Sequence, residues 1–281
     1  MDNNYPKENR SGVEEIHLGE PTLEGELDLG DFTYELYGKG IKVFISPQID
    51  ETKLTFKNKP EKVKIIKQVQ AQEYTNKQYP TYKEREKLTE LDISRKDLQG
   101  DLDLVDFVSL EKLDCWDNKL SSLNIKNCSL LEEIRCHDSP LINLILPPNL
   151  TNLKILSLNY NNFQKKDLSF LQGAVNLVIL NLAKGNLFGS LEFLKEMREL
   201  QALYINDTEI SGSLEPLKNL SKLVILDIRN TDIDSGLEYL PDSLKEFKCL
   251  ANKRKDARCQ NIYNLFVNEY GEIEANGGGS I

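Results

Sequence analysis

At 281 residues, with 40% hydrophobic and 28% charged side chains, the chain has enough apolar material for a continuous buried core and lacks the charge-dominated composition of a disordered polypeptide. Its 45 acidic and 35 basic side chains leave a formal net charge of -10, which repels a nucleic-acid backbone and predicts no nucleic-acid partner. No stretch approaches the roughly 20 apolar residues of a membrane span, so no membrane partner is expected.

Met1 to Arg10 is polar and includes Pro6, and the apolar core of about 7 to 15 residues that a secretory signal needs does not come after it. The sequons at Asn127, Asn149, Asn206 and Asn219 then read as the composition of segments rich in Asn and Ser. Five cysteines, an odd number, point to a reduced, cytoplasmic setting.

Val13, Ile16, Leu18 and Leu23 stand 75 residues ahead of Leu88, Leu91, Ile93 and Leu98, and the Glu26-Leu27-Asp28-Leu29 run matches Asp101-Leu102-Asp103-Leu104. The spacing implies an internal duplication. In its frame Val43 with Ile45, and then Ile65, are the inward strand positions of two degenerate coils, and Leu54 to Asn58 parallels Leu123 to Asn127. A small separate β unit over 40–67 is the alternative, because Ile41 to Ile45 also reads as an ordinary strand. Gln70 to Asn76 is expected to be helical, Pro80 stops it, and Glu84-Arg85-Glu86-Lys87 forms a charged approach to the first regular strand.

From Leu88 to Arg254 one apolar phrase recurs eight times. Its clearest copy, Leu153, Leu156, Leu158, Asn161 and Phe163, has the form L-x-x-L-x-L-x-x-N-x-L with Phe last. First residues fall at Leu88, Leu110, Leu131, Leu153, Leu177, Leu200, Leu223 and Leu244, in steps of 22, 21, 22, 24, 23, 23 and 21. A period of that length marks a solenoid. The phrase resembles the leucine-rich repeat, and the resemblance implies an α/β, right-handed solenoid with a parallel concave sheet, short strands or 3-10 turns on the convex side, and a capping helix at the C-terminal end. The lead-in Ala71-Gln72-Glu73-Tyr74 with Asn76 and Tyr79-Pro80 is similar to one in fungal leucine-rich-repeat proteins, which occur alone or attached to kinase-like domains. The expected organisation is 1–87 as degenerate coils with the helical lead-in, 88–254 as the regular array, and 255–281 as capping helix and loose tail.

Places one, four and six of each phrase point inward, since a strand sends successive side chains to opposite faces. Place six is Cys115, Cys136 and Cys249 in three coils, expected as buried core thiols. Place nine is Asn118, Asn161 and Asn252, with Ser139, Thr208 and Thr231 elsewhere; the family resemblance implies that it satisfies buried backbone groups, and Lys96 and Gly185 break the pattern. Convex segments are expected to carry a short strand at Ser122 to Ile125 and helical turns through Phe193 to Met197 and Leu217 to Leu220. Asp256 is the expected cap of a helix whose Cys259, Ile262, Tyr263, Phe266 and Tyr270 form an apolar stripe, ended by Gly271. The basic run Lys253-Arg254-Lys255 with Arg258 reads as a solvated edge.

Catalytic constellations are missing from the sequence. Neither His17 nor His137 belongs to a zinc-protease or hydrolase motif, and there is no phosphate-binding loop or kinase signature, so neither enzymatic activity nor a cofactor is expected. A metal at Cys115, Cys136 and His137 is disfavoured because Cys136 points inward and His137 outward. Places three, five and seven project from the sheet, and place three gives an apolar column of Ile155, Ile179, Ala202 and Ile225. With Asp114, Arg135 and Tyr204 at place five and Trp116 and His137 at place seven, these side chains form the expected protein-binding surface of a monomer. Part of a larger signalling protein, or an enzyme with an unrecognised site, are the alternatives.

Overall fold

The computed structural model describes residues 69–254 and 256–264 in full, and 15–18, 25–28, 41–45, 54–57, 63–67, 265–270 and 278–279 as backbone elements. Contact density divides the chain into Met1–Glu73 and Tyr74–Ile281.

In the first unit Glu15–Leu18, Ile41–Ile45 and Val63–Lys67 form a parallel sheet, with Ile16 opposite Val43 and Val43 opposite Ile65. Gly25–Asp28 and Leu54–Lys57 form a second parallel pair, with Leu27 opposite Phe56. Consecutive strands therefore alternate between two sheets, which is how a coil that contributes one strand to each side is wound. The duplication's positions at Val13, Leu23 and Leu29 lie outside the described residues.

The Ala71–Gln78 helix ends two residues before Pro80, and a one-turn helix stands next at Tyr82–Arg85, where the sequence reads only as a charged approach. It forms because Thr81 and Glu84 make a capping box: Thr81 Oγ1 accepts from Glu84 N–H, and Glu84 Oε2 accepts from Thr81 N–H at 2.9 Å.

Eight coils come next, each supplying a three-residue strand from places three to five of its phrase: Glu90–Asp92, Lys112–Asp114, Glu133–Arg135, Ile155–Ser157, Ile179–Asn181, Ala202–Tyr204, Ile225–Asp227 and Glu246–Lys248. We number them coils 1 to 8. They pair in parallel without slippage, place against place, from Glu90 opposite Lys112 to Ile225 opposite Glu246. Register holds because a one-residue slip would turn every buried leucine to solvent. Leu113, Leu156, Leu180, Leu203 and Leu226 are completely buried, each contributing roughly 1.5–3 kcal/mol of apolar burial. Leu88, at the first coil, is only half-buried.

After each of the first seven strands the chain turns through a left-handed residue at place eight: Arg95, Asp117, Asp138, Tyr160, Lys184, Asp207 and Asn230 all have φ between 53° and 58°. For the first six, the turn lets the place-eight N–H donate to the place-seven carbonyl of the next coil, as Asp117 N–H does to His137 O at 3.0 Å and Tyr160 N–H to Ala183 O at 3.0 Å. Four of the seven are Asp or Asn, which tolerate this conformation best.

Place nine closes the bend. The Asn118 amide accepts from Leu98 N–H at 3.0 Å and Lys96 N–H at 3.2 Å, and donates to Ile93 O and Cys115 O. Asn161 repeats this toward Leu141, Cys136 and Leu158, whereas Thr208 and Thr231 each make one side-chain bond, to Ile205 O and Ile228 O. Lys96 needs no amide of its own, because Asn118 of the next coil serves its N–H.

On the convex side Leu98–Asp103, Lys119–Asn124 and Asn143–Ile145 pair in parallel, and Phe188–Gly189, Glu209–Ser213 and Asp232–Ser235 make a second such group. The outer strand is longer than the Ser122–Ile125 expectation. Helical turns are 3-10 and lie earlier than expected, at Leu191–Leu194 and Glu215–Leu217, with others at Leu168–Leu171 and Leu237–Tyr239. The 3-10 turn of coil 7 depends on Gly236, whose φ is +92° and whose position would set a Cβ 2.5 Å from Ser213 Oγ and 2.8 Å from Leu214 N. Gly236→Ala is therefore expected to destabilise the array by about 1–3 kcal/mol. A lowered urea midpoint at constant m-value checks it.

The Cys259–Tyr270 helix closes the C-terminal end, burying Cys259 and Ile262, with Cys259 N–H donating to Thr231 O. Asp256 is not its cap: the side chain is largely exposed and faces Arg254 at 3.6 Å. The basic run is ion-paired rather than merely solvated, with Arg254 on Asp232 at 2.7 Å, Lys253 on Asp207 and Arg258 on Asp234. The tail is not wholly loose, since Gly278–Gly279 adds antiparallel to Phe247 and Lys248.

Candidate functional site, the concave face

The sheet presents places three, five and seven of all eight coils, and the residues expected at the binding surface lie on it in two groups. In coils 1 to 3 charge and aromaticity meet. The indole of Trp116 stacks on the imidazole of His137, with centroids 5.3 Å apart and planes 12° from parallel, and the Arg95 guanidinium lies 5.6 Å from the indole centroid. His137 Nδ1 is 2.7 Å from Asp138 Oδ2. Arg135 bridges Glu133 at 2.6 Å and Asp114 at 3.5 Å, and Lys112 pairs with Glu90 at 3.3 Å. Asp114 Oδ1 is buried without a hydrogen bond, so its contact with Arg135 is an ion pair only.

Coils 4 to 7 hold the apolar column. Ile155, Ile179 and Ile225 are half-buried, and Ala202 is only 7% exposed. The expectation of a continuous exposed column is thus corrected: flanking side chains cover Ala202, and the isoleucines show edges rather than whole side chains. Tyr204 lies beside them, half-buried, and burial together with the nearby Glu246 carboxylate pushes its phenol above the ordinary tyrosine range. It remains a neutral hydrogen-bonding group at neutral pH. In coil 7 Asp227, buried, is clasped by Arg229 through Nε at 2.9 Å and Nη2 at 2.6 Å, and in coil 8 Lys248 pairs with Glu246. Charged side chains on the face neutralise one another in this way.

Cys115 and Cys136, expected as thiols, stand under the Trp116 and His137 pair with Cα atoms 4.9 Å apart and are joined as a disulfide. Place six of adjacent coils falls side by side in a parallel sheet, which brings any two consecutive cysteines there within bonding reach. Cys128, Cys249 and Cys259 are free and buried, and burial raises their thiols, that of Cys128 to about 12. Among the described residues no group of three or more His, Cys, Asp and Glu could hold a metal, and no helix is long and apolar enough to cross a membrane.

The rim residues Arg95, Asp138, Tyr160 and Lys184 are not among those expected from the repeat pattern. Tyr160 is exposed and capped by Lys184, whose Nζ lies 3.9 Å from the ring centroid. Their signal lies in the place-eight run of Asp and Asn, which marks a periodic turn that aims every eighth place at the sheet's edge.

No protein-family model matches the chain, and no curated protein matches it. Solved structures do. The plant peptide hormone receptor RGFR1, in complex with RGF2, is similar over 75% of this chain and 38% of its own, at 20% identity and a TM-score of 0.53. The receptor kinase HAESA from Arabidopsis, in complex with the peptide hormone IDA and the co-receptor SERK1, is 20% identical over 78% of this chain and 36% of its own, with a TM-score of 0.49. A leucine-rich-repeat protein of Leptospira interrogans is 18% identical over 87% and 68%, with a TM-score of 0.48. The chain spans less than two fifths of the two plant receptors. Register, repeat frame and the likeness to RGFR1 together establish that the chain folds as a leucine-rich-repeat solenoid.

Proposed function

We propose that the chain is a non-catalytic protein-binding scaffold that recognises its partner with the concave face. One observation carries this reading: a preformed parallel sheet presents half-exposed Ile155, Ile179 and Ile225 beside Tyr204, away from the ion-paired coils at either end. A rigid face loses little conformational entropy on docking, and aromatic anchors in such a setting supply most of the binding energy. The complex of RGFR1 with RGF2 supports a polypeptide partner. Residues 1–87 are in this reading degenerate coils with a helical lead-in, supported by the alternating parallel strands of the first unit.

A cytoplasmic placement rests on the odd cysteine number; the Cys115–Cys136 pair weighs against it, since persistent disulfides belong to oxidising compartments. The second reading is a regulatory or targeting region of a larger, kinase-linked signalling protein, supported by the lead-in similar to that of fungal proteins.

Replacing Trp116, Ile179 and Tyr204 together by alanine tests the scaffold reading. Thermal unfolding is expected to change little, and capture of the partner found by proximity labelling in the native cell to weaken at least tenfold. Intact capture by a strongly destabilised variant contradicts it.

A further inference from the structure

The 3-10 turns of coils 4 to 7 lie on the convex side, and those of coils 4, 5 and 6 touch in succession. Leucines three apart anchor them: Leu168 with Leu171, Leu191 with Leu194 and Leu214 with Leu217 are all completely buried. Side chains three apart eclipse in such a turn, so the places between and just after the leucines are turned to solvent.

Those outward places repeat from coil to coil. Just before the last leucine stand Phe170, Phe193, Pro216 and Tyr239, an apolar ridge in which Phe193 is 40% exposed and the others are half-buried. Lysines lie over its two ends, Lys166 Nζ at 4.3 Å from the Phe170 ring centroid and Lys218 Nζ at 5.9 Å from that of Tyr239, which leaves Phe193 and Pro216 as the open middle. One place earlier come Glu192, Glu215 and Glu238; just after the last leucine come Lys195 and Lys218. Glu192 meets Lys195 at 3.4 Å and Glu215 meets Lys218 at 2.9 Å, with every one of these side chains about half exposed. Such pairs add little to the fold.

Parallel coils run their turns in one direction, so three rows cross the convex side in a fixed order: glutamates, ridge, lysines. A second copy turned over about a line parallel to the rows presents them in reverse. Its lysines then lie opposite these glutamates, and ridge meets ridge. Turned over about a line across the rows, it would set glutamate on glutamate.

We propose that the chain forms a homodimer through this ridge, with the two-fold axis parallel to the rows, in place of the monomer expected from the sequence. Glu192 faces Lys195 of the partner subunit, Glu215 faces Lys218 of the partner subunit, and Phe193 packs on its own counterpart beside the axis. A two-fold interface requires one patch that complements itself, and the order of the rows supplies it. Each charged contact is made twice, and the ridge sheds water on both copies at once. The patch is small, so a Kd on the order of 10 µM is expected. The contact lies on the side away from the concave sheet and leaves that sheet open to its own partner.

The test is sedimentation velocity on the full chain from about 1 to about 200 µM. It compares wild type, Glu192→Lys with Glu215→Lys, Lys195→Glu with Lys218→Glu, an equimolar mixture of these two double variants, and Phe193→Ser. Wild type is expected to pass from monomer to dimer across the range, with affinity falling about three- to tenfold between about 50 and about 500 mM NaCl. Each double variant sets like charges face to face and stays monomeric, whereas their mixture pairs every lysine with a glutamate and restores a dimer at least as tight as wild type. Phe193→Ser weakens association about tenfold or more. All five positions are exposed, so the melting temperatures stay close to that of wild type, and recovery in the mixture shows that both double variants are folded. Wild type that remains monomeric at the highest concentration, double variants that dimerise like wild type, or a mixture that stays monomeric would overturn the proposal.

Discussion

Asn118→Ala is expected to cost about 3–5 kcal/mol, far more than the loss of a threonine at the same place of another coil. The Asn118 side chain is buried, and its loss strands the N–H groups of Lys96 and Leu98 and the carbonyls of Ile93 and Cys115 at once. Each buried group left unpaired costs roughly 1–3 kcal/mol, and partial relaxation or water entry keeps the total below the simple sum. Thr208→Ala removes a single bond, to Ile205 O, and is expected to cost about 1 kcal/mol. Urea unfolding of the two variants measures the contrast directly. Equal losses would mean that place nine is held by packing rather than by its hydrogen bonds.

Reduction of the Cys115–Cys136 bond is expected to lower stability by about 3 kcal/mol, because the bond closes a loop across 21 residues of sequence and restricts the unfolded chain. In denaturant without reductant, three thiols should alkylate, those of Cys128, Cys249 and Cys259; after reduction all five should. Five thiols in unreduced protein from the native cell would contradict the pairing and agree with a cytoplasmic placement. The bond also fixes coil 2 to coil 3 beneath Trp116 and His137, so a Cys115→Ser variant combined with Cys136→Ser should broaden that aromatic pair's signals more than those of Tyr204, four coils from Trp116.

Much of this structure is legible in the sequence. The frame set by Leu153, Leu156, Leu158 and Asn161 places all eight concave strands without an error of register, because inward and outward side chains differ so sharply in polarity. Turns and caps are harder. Asp256 carries the right chemistry for a helix cap but is drawn to Arg254, and the Thr81 and Glu84 capping box is hidden in a run that reads as plain charge. Bonding between Cys115 and Cys136 is foreshadowed by their shared place in neighbouring coils, a proximity that outweighs the odd cysteine number. For the site, periodicity determines which residues face outward but not what covers them: Ala202 sinks among its neighbours, and Trp116 spends one face on His137. Those outcomes depend on rotamers and on the side chains of the neighbouring coil, which no repeat spacing encodes.

The concave face is tested most directly by site-specific photocrosslinking in the native cell, with a benzophenone amino acid placed in turn at Tyr204 and Ile179 on the sheet and at Tyr82, which is exposed elsewhere. Recognition through the centre of the sheet gives one adduct of the same mass from Tyr204 and Ile179 and none from Tyr82. An adduct formed from Tyr82 while Tyr204 and Ile179 give none would contradict it.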